Sequence, residues 1–253
     1  MKKSKRLLSL FITLVMLMGF TSNYAIAASK TSGKCGKNAK WSYNTKTKTL
    51  TISGKGPMYD YLEDDYGFPP WDKYTDSIKT IKIKKGITHI SKGAFDGTMW
   101  ASGSSISIPY TVKSIGSEAF SCTGVKHITI PGSVKTIRDG TFSLSEATTI
   151  KLKKGVKVID DFAFDRTSLT SITFPSSVKK IGKGIFTYSR GIRTVVFTGD
   201  APRIHKKAFS SIDYDGEDEA EPIRLTIYYP KGNKTWKSVI KKQYGGKVKW
   251  VAK

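Results

Sequence analysis

The residue types that most often carry catalysis or bind metals are scarce in this 253-residue chain, which has three histidines and two cysteines. His89, His127 and His205 lie far apart in the sequence, and we expect them to point outward at separate places. Neither Cys35 nor Cys122 has a histidine positioned by sequence to activate its thiol. No G-x-S-x-G, H-E-x-x-H, phosphate-binding glycine motif or paired metal-ligand spacing occurs. The sequence therefore predicts a protein that is not an enzyme and needs no cofactor.

The acidic stretch DYDGEDEAE, residues 213–221, has the alternating carboxylates of a calcium-binding loop at Asp213, Asp215 and Glu217. Its glycine stands at the fourth place rather than the sixth, and the twelfth place is Arg224 instead of a glutamate. A solvated loop is the favoured interpretation, and weak calcium binding is the alternative.

The first 27 residues have the layout of a secretory signal peptide. A basic segment containing Lys2, Lys3, Lys5 and Arg6 precedes a short apolar stretch at 7–20, and Ala25-Ile26-Ala27 offers a cleavage site. Export would permit a disulfide between Cys35 and Cys122, although two cysteines do not make a disulfide framework, and the sequence leaves the distance between their Cα atoms open.

The charge of the chain favours polyanionic partners. The net charge is +23, and removal of the four basic residues in segment 1–27 would leave +19. No later segment could span a membrane, and neither a lipid-accepting cysteine nor a wall-sorting motif is evident. We therefore expect a protein that is released, or held non-covalently at the cell wall, where teichoic acids, acidic glycans and anionic lipids are available.

Internal repeats dominate the middle of the chain. Phenylalanines recur at 95, 120, 142, 164, 186 and 209, spaced by 25, 22, 22, 22 and 23 residues. An isoleucine stands five residues before each phenylalanine, and an apolar-x-apolar pair such as Ile128/Ile130 stands further upstream. A unit of 22 residues cannot bury its own apolar side, so the six copies must stack to share one core.

Each repeat can be assigned to a coil of a solenoid. The alternating pair predicts a short strand that pairs in parallel with the equivalent strand of the next coil. Pro109, Pro131 and Pro175 follow this strand, where a ladder N–H is no longer needed. The phenylalanines should then stack as a column inside the solenoid.

The pattern I-x-I-P-x-x-V-x-x-I-G-x-x-A-F resembles the leucine-rich repeats of BspA-like bacterial surface proteins, with ISIPYTVKSIGSEAF and ITFPSSVKKIGKGIF as close copies. The segment CGKNAKWSYNTKTKTLTISGKGPM resembles the N-terminal cap of that family, and YYPKGNKTWKSVIKKQYGGKVKW resembles its C-terminal cap. The resemblance implies an extracellular binding and adhesion module for protein or glycan partners, with no catalytic residues to carry over.

We therefore expect a β-rich leucine-rich-repeat solenoid of six repeats of about 22 residues, closed by a β-hairpin cap and an α/β cap. The expected boundaries are 1–27 for the signal peptide, 28–77 for the N-terminal cap, 78–209 for the solenoid and 210–253 for the acidic loop and C-terminal cap. The C-terminal cap should contain a helix at Lys234 to Tyr244 after Asn233, followed by a strand. The tryptophans 41, 71, 236 and 250 should form the cores of the caps.

The repeat register places four lysines in one column, about 4.8 Å apart from coil to coil: Lys113, Lys135, Lys157 and Lys179. Like charges at this spacing repel, so the lysine column does not serve stability and would suit a linear polyanion. The competing interpretation is that lysine is abundant in this chain and common at exposed positions.

A second set of equivalent positions flanks the strand residues, on what would be the concave face of a leucine-rich repeat. Its candidate binding residues are Thr80, Lys82, Ser105, Ser107, His127, Thr129, Thr149, Lys151, Ser171 and Thr173. Threonine is also a good strand former, so part of this pattern is structural. A flat hydroxyl-rich surface suits contact with protein or glycan.

One candidate contact loop departs from the repeat. Extra residues in repeat one place Trp100 outside the core positions, with Tyr110 nearby, and the alternative is that Trp100 packs on the N-terminal cap. Specific nucleic-acid binding is not expected, because stacking aromatics are missing from the outward strand positions.

Overall fold

The computed structural model of this chain describes residues 31–61, 67–98, 105–212 and 222–253. The predicted signal peptide, Trp100 and the acidic stretch 213–221 lie outside the described residues. The interpretations attached to those three segments therefore stay predictions.

The described residues begin with an N-terminal cap, in which three strands pair antiparallel and a fourth pairs in parallel with the first repeat. The strands of this N-terminal cap are β1 (Ser32–Lys34), β2 (Ala39–Asn44), β3 (Thr49–Gly54) and β4 (Gly56–Pro57), followed by a 3-10 turn at Asp72–Ser77. Strands β2 and β3 pair antiparallel, and the turn between them closes because the Asn44 side chain accepts the backbone N–H groups of Lys46 and Thr47. Alternate residues of β2 are buried, as expected for a strand with one face on the core.

Each repeat contributes two strands, and the second is a short strand of two residues in every repeat except the first, where it has four. The first strands are β5 (Thr80–Ile83), β7 (Ser105–Ser107), β9 (His127–Ile130), β11 (Thr149–Leu152), β13 (Ser171–Phe174) and β15 (Thr194–Phe197). The second strands are β6 (Ile87–Ile90), β8 (Ser114–Ile115), β10 (Thr136–Ile137), β12 (Val158–Ile159), β14 (Lys180–Ile181) and β16 (Arg203–Ile204).

These strands stack in parallel and in register, with Ile128 beside Ile150 on one wall and Ile137 beside Ile159 on the other. The predicted solenoid of parallel strands is confirmed.

The six repeat phenylalanines form the predicted internal column. Every one of them is fully buried, and neighbouring ring centroids lie 5.4, 5.6, 5.9, 5.9 and 6.4 Å apart from Phe95 to Phe209. Trp71 of the N-terminal cap extends the column, with its ring 6.0 Å from that of Phe95 and its indole N–H donated to the carbonyl of Ala94. The cap and the repeats therefore share one core.

Small hydroxyl residues three positions after the phenylalanines are buried, which the hydrophobic pattern alone does not explain. The hydroxyls of Thr123 and Thr167 donate to the carbonyls of Phe120 and Phe164 at 3.0 and 3.1 Å. Ser189 donates to the carbonyl of Phe164 in the preceding coil at 2.7 Å. These three side chains satisfy the carbonyl groups of Phe120 and Phe164 at corners where the strand ladders have ended.

The C-terminal cap differs from the prediction in one element. Two parallel strands, β17 (Arg224–Tyr229) and β18 (Lys247–Ala252), continue the sheet of β13 and β15, and β18 is the strand expected after 234–244. The predicted helix at 234–244 is wrong: two 3-10 turns, Lys234–Trp236 and Val239–Lys241, stand in its place. Trp236 is fully buried and donates its indole N–H to the carbonyl of Gly199, which fixes the first turn against the last repeat and outweighs helix propensity.

Both cysteines are free thiols, so no disulfide joins Cys35 to Cys122. Burial in the N-terminal cap raises the pKa of Cys35 to about 12. Its thiol stays protonated at neutral pH and is a poor nucleophile, since the thiolate is the reactive form.

Candidate functional site

The lysine column lies on the wall formed by the short strands. The backbone N–H of Lys157 donates to the carbonyl of Lys135, and that of Lys179 donates to the carbonyl of Lys157, both at 2.7 Å. These residues are therefore stacked on consecutive coils, and all four side chains of the column are exposed.

Three ammonium groups of the lysine column have solvent-exposed partners within the protein. Lys135 donates to the carbonyl of Gly132 at 2.7 Å and Lys113 to that of Tyr110 at 3.5 Å, whereas Lys179 lies 3.7 Å from the carboxylate of Asp200. The side chains of Lys179 and Asp200 are 59% and 60% exposed. Such surface ion pairs contribute at most about 1 kcal/mol to stability. A ligand could exchange for these contacts at little cost.

Tyr110 lies in the turn between β7 and β8, where the chain passes from one wall to the other. Its side chain is 64% exposed, and the Lys85 ammonium lies 5.8 Å from its ring centroid. The prediction that it forms a contact loop with Trp100 is untested, because Trp100 lies outside the described residues.

The strand face carries the ten predicted hydroxyl, lysine and histidine side chains in two rows. Each of them is exposed or half-buried, while the apolar residues between them are buried. The rows continue into both caps, since Thr49 pairs with Thr80 and Tyr228 with Val196. Sequence repeats did not reveal this extension, because the caps do not follow the repeat pattern.

A shallow depression of about 460 Å³ lies where the strand face meets the N-terminal cap. Thr49, Thr51, Lys82 and Lys84 contribute to its walls. Hydroxyl and ammonium donors around an open depression suit hydrogen bonding to a sugar or a peptide.

His89 is part of a hydrogen-bonded chain that the sequence did not indicate. Its Nε2 lies 3.0 Å from Oδ1 of Asp60 and its Nδ1 lies 2.8 Å from Oγ of Ser114. The carboxylate of Asp60 also accepts the backbone N–H of Lys92. The three histidines do lie at separate places, as expected. The sequence did not indicate that His89 pairs with Asp60 and Ser114, which lie 29 and 25 residues away in the chain.

An Asp–His–Ser chain is also the arrangement of hydrolase triads, which in addition place hydrogen-bond donors, often backbone N–H groups, around the oxyanion. The amides of Lys113 and Gly116, which flank β8, already donate to the carbonyls of Thr88 and Ile90. The network joins the N-terminal cap to the first two repeats, which is a structural role.

The Asp60–His89 link should make stability depend on pH. Burial alone would raise the pKa of Asp60, but the hydrogen bonds from His89 and Lys92 and the attraction of His89 and Arg138 outweigh it and lower this pKa. The stabilisation is then present above the unfolded pKa, about 3.9, and is lost as pH falls through the lower folded value. We expect Asp60→Asn to lower the free energy of unfolding by roughly 0.2–1 kcal/mol at pH 6 and by less at pH 3.

Urea denaturation of the wild-type protein and of Asp60→Asn between these pH values would measure the difference. Asp76→Asn, at an exposed position in the same cap, controls for the loss of one carboxylate. A difference that grows on acidification would contradict the assignment.

A cluster of carboxylates lies at the turns that come just before the repeat phenylalanines. Its members are Glu118, Asp139, Asp160 and Asp161. Burial, followed by the nearby charges of Asp161, Glu118 and Asp160, raises the pKa of Asp139. Within the described ranges, no group of three or more histidine, cysteine, aspartate or glutamate side chains has the geometry to hold a metal ion. Lys180 lies 3.6 Å from Asp160 and partly neutralises this cluster.

The architecture is a parallel solenoid with the lysine column on one wall and the hydroxyl-rich strand face on the other. It defines the class of this protein as a repeat protein with extended surfaces. Residues 98–214 match the BspA type leucine rich repeat region in six copies. This match confirms the resemblance drawn from the repeat motif.

Two solved structures are similar to this chain, and the first of them shows the same fold. A leucine-rich repeat protein from Eubacterium ventriosum is 23% identical and superposes with a TM-score of 0.50, covering 80% of this chain and 45% of its own. A leucine rich cell surface protein from Faecalibacterium prausnitzii is 18% identical with a TM-score of 0.42, covering 81% of this chain and 72% of its own. This chain therefore spans less than half the length of the Eubacterium protein.

No curated protein matches this chain. In the part of the chain that the structure describes, every helical turn is too short to cross a bilayer.

Proposed function

We propose that this protein is a secreted or surface-located, non-catalytic binding module whose strand face contacts extracellular proteins or glycans. The observation that carries the proposal is the strand face itself: two rows of exposed hydroxyl and lysine side chains, held in register by parallel strands. Proteins with leucine-rich repeats of this family are generally protein-binding or adhesion modules, which supports the same function. The face lacks large apolar anchors within the repeats, so polar contacts and shape should dominate recognition.

A second candidate function rests on the lysine column. Four exposed ammonium groups on consecutive coils, in a chain of net charge +23, suit retention on teichoic acid or another linear polyanion of the cell wall. Binding of this kind releases counterions and therefore weakens steeply as salt rises. The two functions use different walls of the solenoid and can be tested separately.

The test compares two multiple variants on two ligands. Thr129→Glu with Thr149→Glu adds charge to the strand face, and Lys113, Lys135, Lys157 and Lys179→Gln neutralise the lysine column. The protein is bound to immobilised host matrix and to teichoic-acid-containing cell walls, and is then eluted with a salt gradient. We expect the strand-face variant to lose about tenfold or more in matrix affinity while walls still bind. We expect the column variant to lose its salt-sensitive wall binding and to keep matrix binding.

Matched controls are available in the caps. Lys37, Lys40, Lys46 and Lys55→Gln remove the same charge from the exposed N-terminal hairpin, and Thr45→Glu with Ser238→Glu add charge outside the strand face. Wall binding that survives both high salt and the column variant would remove the polyanion function. Matrix binding that is equal in the strand-face variant and its control would contradict the main proposal.

A further inference from the structure

A cavity of about 440 Å³ lies between the end of repeat five, the start of repeat six and the C-terminal cap. Its described walls include three arginines, Arg190, Arg193 and Arg224, together with Tyr188 and Ile223. None of the described residues that line it carries a carboxylate. The cavity thus combines concentrated positive charge with an apolar surface.

Strand pairing and backbone contacts place two of these arginines at the same edge. Strands β15 and β17 pair with Thr194 opposite Thr226, and the backbone N–H of Thr226 donates to the carbonyl of Arg193. Arg193, just before β15, and Arg224, the first residue of β17, therefore lie at the same end of neighbouring strands.

The guanidinium of Arg193 is held in place by the protein. Its Nη1 donates to the carbonyls of Arg190 and Ile192 at 2.8 and 2.7 Å. A guanidinium held at Nη1 by two backbone carbonyls presents a planar fork of N–H donors that suits bidentate binding of a carboxylate.

Tyr188 supplies a rigid aromatic wall. Its backbone has a positive φ of 53°, and the guanidinium of Arg166 lies 4.6 Å from its ring centroid. Arg166 is itself held by the buried carboxylate of Asp165 at 3.0 Å. Stacking of the Arg166 guanidinium on one face of the Tyr188 ring fixes the orientation of the ring. Ile223 adds aliphatic surface to the cavity.

We propose that this cavity binds an acidic peptide segment, with carboxylates on the arginines and an apolar side chain against Tyr188 and Ile223. The cavity volume is in the range that accommodates a few residues of peptide. This site is separate from both the lysine column and the strand face, and it goes beyond the function proposed above.

The test measures fluorescence anisotropy of the labelled peptide Glu-Phe-Glu-Phe-Glu on the full protein, with Gln-Phe-Gln-Phe-Gln as the uncharged probe, at an ionic strength of about 0.15 M. We expect Arg190, Arg193 and Arg224→Gln together to weaken binding of the acidic peptide by about a hundredfold. Tyr188→Ala should weaken it by about tenfold, because the apolar contact is lost. The variant Lys37, Lys40 and Lys55→Gln in the N-terminal cap removes an equal charge and should change affinity less than about twofold, and circular dichroism melts would check folding.

Equal losses in the arginine and lysine variants would show that net charge alone attracts the peptide, and would overturn the proposal. So would equal binding of the uncharged peptide, or displacement by inorganic phosphate at the peptide concentration. Binding that emerges only when the six acidic residues between 213 and 221 are changed to amides would also overturn it, since the arginines would then be satisfied within the chain. Failure of this test leaves matrix binding by the strand face intact, so the two proposals fail independently.

Discussion

Replacing Phe142 with alanine is expected to lower the free energy of unfolding by about 3–5 kcal/mol. The ring is fully buried in the middle of the column, with centroids 5.6 and 5.9 Å from those of Phe120 and Phe164. Its removal leaves a cavity between two rigid rings, and parallel strands on both walls prevent the coils from collapsing into it. Both nearest-neighbour interfaces of the repeat are weakened at once.

Urea denaturation followed by circular dichroism would measure this loss. Leu144→Ala, two positions away at a side chain that is 49% exposed, is the matched control and should cost less than about 1 kcal/mol. A loss below about 1 kcal/mol for Phe142→Ala would show that the column is not the main source of stability.

Gly155→Ala is the second substitution with a large expected effect, about 3 kcal/mol or more. Gly155 has a φ of +123°, and a Cβ at this position would overlap the carbonyl oxygen of Gly132 in the preceding coil. In turn, a Cβ on Gly132 would overlap the carbonyl of Lys154. The two glycines allow the backbones of consecutive coils to approach each other where the chain turns between the two walls.

Gly232→Ala separates the two causes of this loss. Gly232 also has a positive φ, +78°, but nothing lies within 4 Å of its added Cβ. It should therefore cost only the conformational strain of about 1–2 kcal/mol. Thermal melts of the two variants would show the difference, and equal costs would mean that the close approach of coils contributes nothing.

The repeat core was predictable because the same side-chain types recur at fixed spacing. Ile128, Ile130, Val134, Ile137 and Phe142 are all buried in one coil, as the period of the pattern required. Stacked coils must place equivalent residues side by side, so the same period also placed Lys135 beside Lys157. What a lysine in that column binds does not follow from the period, because its surroundings on the surface vary from coil to coil.

The caps were harder to predict because their residues respond to contacts and not to a repeat. The segment at 234–244 has helix-forming residues after Asn233, whose side chain does accept the N–H of Thr235. The hydrogen bond from Trp236 to Gly199 and the packing of its ring 5.0 Å from Phe197 favour two short turns instead. Tertiary contacts from one buried tryptophan thus outweighed a local preference of a few tenths of a kcal/mol per residue.

The sequence by itself determined the solenoid, its register and the two exposed rows of side chains, because periodic burial leaves one way to stack the repeats. Only the tertiary structure joined Asp60 and Ser114 to His89, and only it gathered Arg190, Arg193 and Arg224 around Tyr188. These groups meet across the boundaries between cap and repeat, where no spacing in the sequence relates one partner to the other. These contacts depend on how the two caps pack against the first and last repeats, which only the three-dimensional structure shows.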